Sequence, residues 1–296
     1  VPPSVLILGD VVNDIVVKPC GEVARGSDTV SVISARPGGS AANQAAWLAH
    51  LGVDVVFAGR CGARDADFHR RELGRYGADA RIAADEESDT GSIVIMVSPD
   101  GERTMFTDRG ANLRLCRADV PGLDGAGLVH LTGYTFFSSS SRPVALALLA
   151  EARARGIPAT VDPGSAAFLA PLAAGEFAGW TRGCAVCFPN VDEAAVLTGE
   201  ADPLAMAARL AEDYPVVVLK LGGSGCVLAG PGQPPVVVAA EPAEVVDTTG
   251  AGDAFCAAFL SRWLAGASLT EAASFAARTA ADAVTRLGGR PPRSPL

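Results

Sequence analysis

VDTTGAGDAFCAAFLSRWL, residues 246–264, joins an extended segment to a helix. Ala254, Phe255, Ala258, Phe259 and Trp263 recur at the spacing of a buried helical stripe. Ahead of that stripe, Thr249, Gly250, Ala251 and Gly252 fall at the helix N-terminus. Small residues there leave backbone N–H groups open and let a ligand approach closely. Those groups and the helix dipole favour an anion, typically phosphate. A carboxylate does nothing for anion binding, so Asp253 at the last step of the turn points to chemistry. It would act as a base while the turn Gly250–Ala251–Gly252 holds developing charge. The pairing fits phosphoryl transfer to an alcohol. Asp253 reads equally as an ordinary helix cap, and the fragment alone does not choose.

Outward from this turn, strand and helix alternate. VLILGDVV (5–12) is a buried strand ending in a Gly-Asp loop, SAANQAAWLAHLG (40–52) a helix stopped at Gly52, DVVFAGRCG (54–62) a strand and DADFHRRELGRYG (65–77) a helix. The rhythm returns with LVHLTGY (128–134), VALALLAEARARG, PATVDPG, CAVCFPN and VDEAAVLTG, then the strand–turn–strand PVVVLKLGGSGCVLAG and two closing helices. It predicts an α/β fold with a mostly parallel central sheet covered on both faces. Residues 14–36 and 90–110 break the pattern with short alternating runs, the second turning at Pro99-Asp100-Gly101. They read as two excursions that build a small β-sheet lid, or else as edge strands of the main sheet. Without linker or repeat, residues 1–296 read as one domain.

Composition narrows the function. The chain has 296 residues, 49% hydrophobic and 19% charged, with a formal net charge of -9. Such a balance disfavours nucleic acid or an anionic membrane as partner. No apolar run is long enough to span a membrane, and VPPSVLILGD lacks the form of a signal peptide, so a cytoplasmic protein is expected. Seven scattered cysteines argue against a disulfide framework, and Cys184 and Cys187 read as small buried residues. His50, His69 and His130 have no metal-ligand spacing. There is no G-x-S-x-G elbow, no protein-kinase H-R-D set and no Walker A loop, since Lys18 and Lys220 are the only lysines. A dinucleotide fold, and with it an oxidoreductase, is weakly supported.

DTTGAGDAF (247–255) resembles the C-terminal signature of the ribokinase-like (PfkB) carbohydrate kinases. PGGSAANQA (37–45) is similar to their N-terminal signature, FPNVDEA (188–194) to their N-x-x-E motif and KLGGSGC (220–226) to their nucleotide loop. GDVVND (9–14) resembles the opening substrate loop and AVTRLGG (283–289) the C-terminal tract. The order and spacing match over nearly the whole chain. The resemblance implies a three-layer α/β/α ribokinase-like fold with a β-lid, ATP as phosphoryl donor, Mg²⁺ and a sugar or sugar-like acceptor.

It also implies roles. Asp253 would be the base on the acceptor hydroxyl, with Gly250, Ala251 and Gly252 as the anion hole. Asn190 and Glu193 would organise Mg²⁺ through water, although Glu193 is also a common first-turn acid. Gly223, Ser224 and Gly225 would hold the nucleotide unless they are only a tight turn. Lys220 would reach phosphate unless it is solvated at its strand end. Asp14, Gly38, Gly39 and Asn43 would form the sugar site. Asp247 and Thr249 resemble a monovalent-cation site, which implies K⁺ activation. Lid pairing would give a homodimer.

Departures leave the acceptor open. Val12 and Ser40 stand where ribokinases proper usually have Asn and Lys. DPGSA (162–166) lacks the Asn and Arg of fructokinases and 2-keto-3-deoxygluconate kinases. Arg103 and Arg109 on the lid would suit a sugar acid or sugar phosphate, or else are solvated. A nucleoside acceptor and a catalytically silent binding protein are the alternatives.

Overall fold

The computed structural model describes residues 4–98 and 103–292. β1 (Ser4–Leu8) lies inside a nine-stranded sheet, third from one edge. On one side of it run β4 (Val55–Gly62) and the edge strand β5 (Asp79–Asp85). On the other run β8 (Ala126–Thr132), β9 (Ala159–Asp162), β10 (Val186–Cys187) and β11 (Val216–Lys220), all parallel. β12 (Cys226–Ala229) and β13 (Val236–Val238) close that end antiparallel.

The inner parallel strands are mostly apolar because both faces are covered. In β1, Val5 and Ile7 join the core beneath α1 (Ser40–His50), α8 (Ala251–Leu264) and α9 (Leu269–Ala283). Leu6 and Leu8 join the opposite core beneath α3 (Arg142–Ala154) and α7 (Pro203–Leu210). All four are fully or nearly fully buried, and each such side chain contributes about 1.5–3 kcal/mol. The two-residue period of the strand sends neighbours to opposite layers.

The two excursions form a separate four-stranded sheet in the order β3-β2-β6-β7, from β2 (Val12–Pro19), β3 (Ser31–Gly38), β6 (Thr90–Val97) and β7 (Arg103–Gly110). β2 pairs antiparallel with β3 and parallel with β6, and β6 antiparallel with β7. The turn expected at Pro99-Asp100-Gly101 lies outside the described residues.

Four differences from the sequence reading have local causes. CAVCFPN supplies only the two residues of β10, because Pro189, two residues past its end, has no N–H to continue the ladder. Cys184 lies outside that strand, and both thiols pack into the same core, where burial pushes Cys184 up to about 12. β5 was not expected; RIAAD lacks the β-branched density of the other strands. α2 (Ala63–Gly74), α5 (Glu176–Thr181) and α6 (Val191–Thr198) complete the helical layers with α4 (Ala166–Leu169); α4, α5 and α7 were not anticipated, the first two because they are so short. No helix among the described residues is long and apolar enough to cross a membrane.

Candidate active site

α8 starts from Gly250, whose φ of 73° lies in the left-handed region. A Cβ there would stand 2.3 Å from the Gly289 backbone, so the turn closes only with glycine. Asp253 is the third residue of the helix, and no side chain caps this terminus. Its carboxylate turns instead to α1. Ser40 Oγ donates to Oδ1 at 2.7 Å, Asn43 Nδ2 to Oδ2 at 3.0 Å and Gln44 Nε2 to Oδ1 at 3.2 Å. The helix-cap reading of Asp253 is therefore set aside. Ala41, Ala42, Ala45 and Ala46 are fully buried, and their small side chains let the polar edge of α1 approach α8. Burial pushes the Asp253 carboxyl up to about 7 against the pull of the Ser40 and Asn43 donors, with the Asp162 carboxylate adding to the rise.

Asp162 and Lys220 end β9 and β11, at the carboxyl edge of the parallel strands where ligand sites of such sheets form. Lys220 Nζ lies 2.9 Å from Asp162 Oδ2, with both side chains largely buried. Lys220 is thus not a solvated strand end. It also faces the turn: a Cβ on Gly252 would lie 3.6 Å from Nζ. Burial alone would lower the Lys220 pKa, but the Asp162 and Glu193 carboxylates more than offset it and hold it above the ordinary lysine value.

Gln44 lies between the two aspartates, its Nε2 also donating to Asp162 Oδ2 at 3.2 Å. That fixes its amide, so Oε1 accepts from His130 Nε2. His130 Nδ1 then accepts from Thr160 Oγ1 at 2.7 Å. The chain Thr160–His130–Gln44 sets the donor that Asp253 sees. Burial pushes His130 down to about 4, with Asp162 opposing and Lys220 adding to the fall, so the ring is neutral at pH 7. Its folded pKa lies below the unfolded value. The unfolded chain therefore binds more protons between pH 6.5 and 4, and His130 costs the fold about 3 kcal/mol as pH falls through that window. In urea titrations, the stability advantage of the native chain over His130→Asn should shrink over that interval; a parallel pair of pH profiles would refute it.

Asp14, in β2, is buried, and no described residue hydrogen-bonds its carboxylate. A Cβ on Gly38 would stand 2.2 Å from its Oδ2, so glycine there makes room for the side chain. Burial and the Asp10 carboxylate push Asp14 up to about 7 against the pull of Arg290. Asp14 lines a cleft of about 460 Å³ between the lid and the 286–292 tract. Gly39 turns the chain into α1 at a φ of 97°. Asn43 joins the cleft side to Asp253: its Nδ2 donates to the Asp253 carboxylate and its Oδ1 accepts from Arg290 Nε at 3.4 Å. Asp253 stands one side chain behind the cleft wall.

Asn190 and Glu193 form a capping box at the start of α6. Asn190 Oδ1 accepts from Glu193 N at 2.8 Å, while Asn190 N and Nδ2 donate to the Glu193 carboxylate at 2.9 Å each. Burial pushes Glu193 up to about 7, opposed by Lys220. Gly223 and Ser224 are exposed in the tight turn between β11 and β12, and Gly225, at a φ of 99°, packs against the Val238 carbonyl. Asp247 Oδ1 accepts from Thr249 N and Oγ1 at 2.9 and 2.6 Å, and its Oδ2 from Gly288 N at 2.9 Å. Arg109 does not face the cleft of Asp14. Its Nη1 donates to the Tyr134 carbonyl at 3.0 Å, beside Asp10 and Arg60. Arg103 opens β7, and its side chain lies outside the described residues.

The model of the pfkB family carbohydrate kinases matches residues 3–295. The chain belongs to that family. This pfkB kinase is ATP-dependent, and its fold is ribokinase-like. It is 31% identical to the bifunctional protein HldE of Azotobacter vinelandii over 96% of its own length, but spans only 60% of that protein. It is 29% identical to the ribokinase of Arabidopsis thaliana, covering 98% of its own chain and 78% of that one. Its structure superimposes on the adenosine kinase of Sinorhizobium meliloti with a TM-score of 0.89, at 24% identity, over 98% of this chain and 96% of that one.

The site of this pfkB kinase contains residues that its sequence did not single out. Gln44 and Arg290 lie inside or beside the quoted motifs, and only their contacts give them a part. Asp162 carries the one sequence signal that could have been read: a carboxylate at the last position of an apolar strand, just before Pro-Gly. His130 sits inside a strand and nothing in the sequence distinguishes it from a core histidine.

Proposed function

We propose that this kinase transfers the γ-phosphoryl group of ATP to a hydroxymethyl group of a sugar or sugar-like acceptor, with Asp253 as base. The observation that carries the reading is the Asp253 carboxylate in the first turn of α8, held by three donors beside the glycine turn at the helix N-terminus and raised to about 7. The acceptor O–H proton passes to Asp253 as the O–P bond forms and the bond from Pγ to ADP breaks. The α8 turn takes the charge on the transferred group, and Lys220, paired with Asp162, keeps the neighbourhood from becoming purely anionic. Asp14, Gly38, Gly39 and Asn43 hold the acceptor.

Gly223, Ser224 and Gly225 form the nucleotide edge, close in sequence to Lys220. Glu193 and Asn190 fit water-mediated Mg²⁺, since a carboxylate with two bonds keeps further lone pairs. Bound Mg²⁺ would neutralise charge on the phosphates. Asp247 and Thr249, tied to Gly288, are assigned to a monovalent cation, K⁺. Residues 1–296 act as one kinase unit with its lid.

The lid supports a homodimer. Val32 and Ile33 of β3 are 62% and 63% exposed, and Met105 and Phe106 of β7 are 57% and 58% exposed. Such apolar side chains on edge strands favour cover. Light scattering should give twice the 30.1 kDa chain mass for the native protein and a monomer for Ile33→Asp/Phe106→Asp. A native monomer sinks the dimer.

The reaction is tested by coupled ADP release with ATP, Mg²⁺ and K⁺ over neutral sugars, sugar acids, sugar phosphates and nucleosides. Turnover of at least one acceptor that depends on Asp253 is expected. Silence across the panel would favour the binding-protein reading instead.

A further inference from the structure

Two guanidinium groups line the Asp14 cleft with nitrogens that have no acceptor among the described residues. Arg290 follows the Gly288–Gly289 tract, and its Nη1 and Nη2 are buried with no partner among the described residues. Among the described residues its one hydrogen bond is from Nε to Asn43 Oδ1. Burial lowers Arg290 to about 10, opposed by Tyr76, Glu72 and Asp14, so it stays cationic at neutral pH. Arg36 comes from the lid. It pairs in register with Asp14 across β2 and β3, which puts both side chains on one face of the sheet. It makes no hydrogen bond or ion pair among the described residues, and it reaches the same tract: a Cβ on Gly288 would lie 3.1 Å from Arg36 Nη1. Both arginines line the cleft.

The acidic groups that face the cleft are Glu72, Asp247 and Asp14. Glu72 pairs with Arg75, and Asp247 accepts from Thr249 and Gly288. Asp14, near 7, carries only part of its charge at neutral pH. A buried guanidinium with two unfilled nitrogens is costly, and a neutral polyol offers it only weak hydroxyl acceptors. A planar or tetrahedral oxyanion would satisfy the two nitrogens together.

We propose that the acceptor carries an anionic group, a carboxylate or a phosphate monoester, held between Arg290 and Arg36, while its hydroxyls face Asp14 and Asp253. The proposal rests on the phosphoryl-transfer reading of Asp253. The link Arg290–Asn43–Asp253 sets this subsite one side chain from the base. Arg290 then selects the acceptor, a part that Arg109, turned onto Tyr134, does not play.

Calorimetric titration without nucleotide tests it, with ribose and fructose as neutral probes, gluconate and 2-keto-3-deoxygluconate as carboxylates, and ribose 5-phosphate and fructose 6-phosphate as phosphates. At least one anionic class should bind the native protein about tenfold or more tighter than the neutral probes. Which class does so separates the two sources of charge. Arg290→Gln should weaken that class about tenfold more than it weakens neutral probes, with Arg290→Lys intermediate. Arg36→Gln, on the exposed lid, repeats the test without touching the core. Equal binding of neutral and anionic probes, uniform losses in the variants, or no binding of any probe overturns the subsite. If the parallel ADP-release assay then still shows Asp253-dependent turnover of a neutral acceptor, the kinase reading survives; if no acceptor turns over, both fall.

Discussion

Asp253→Asn lowers kcat by about a thousandfold and changes acceptor and ATP binding far less. The asparagine fills the same space between Ser40, Asn43 and Gln44, but it cannot take the acceptor proton. The native enzyme should also carry an acid limb. With its carboxyl near 7, Asp253 is protonated and idle below that pH, so kcat/KM rises as pH rises through 7 and then levels off. Asp14 and Glu193 titrate in the same range, and the limb is therefore shared. Asp14→Asn should preserve the Asp253 part of the limb while raising KM. Burial has a matching effect on stability. The folded pKa of Asp253 exceeds the unfolded one, so its contribution is present at acid pH and is lost as pH rises through 7. Stopped turnover and the pH profile are read in one assay series; an Asp253→Asn enzyme within tenfold of the native kcat would remove Asp253 from the role of base.

Lys220→Met destabilises the fold by about 3–5 kcal/mol. The methionine fits the space, but Asp162 is left charged and buried at the end of β9, with Gln44, the Gly164 N–H and the Cys256 thiol as its remaining neutral donors among the described residues. Lys220 has a raised pKa because the pair outweighs its own burial, so the loss falls on both partners. The double variant Lys220→Met/Asp162→Asn removes the orphaned charge and should recover most of the loss, as a urea-unfolding cycle measures. The single variant has a second signature. The Asp162 carboxylate already raises Asp253, and without Lys220 to balance it the repulsion grows. The acid limb of residual activity therefore moves to higher pH in Lys220→Met and back in the double variant. An additive cycle would mean that the pair is spaced in a way that leaves each charge independently satisfied.

The layers of this fold were legible because burial on both faces leaves a plain mark. VLILGDVV, DVVFAGRCG and LVHLTGY are apolar at successive positions, which a half-exposed strand would not be. The lid was legible for the opposite reason: its segments alternate. β5 was not, since an edge strand needs little apolar surface, and β10 was legible in place but not in length, because only two of its residues pair as a strand. Asn190 and Glu193 show how far a motif goes. Their three-residue spacing is the same for a capping box and for a magnesium site, and the structure shows the box in full.

What the sequence alone determined was the alternation of the main strands and helices, the glycine turn ahead of α8 and the carboxylate set into it, because each depends on neighbours within a few residues. Which groups meet that carboxylate was decided by tertiary structure. Ser40, Asn43 and Gln44 reach Asp253 across more than two hundred residues because alanines let α1 and α8 close, and Asp162 and Lys220 meet because parallel strands end on the same edge. Arg36 and Arg290 likewise come to one cleft only when the lid folds over the last tract of the chain. Charges act through space, and chain separation says nothing of that distance.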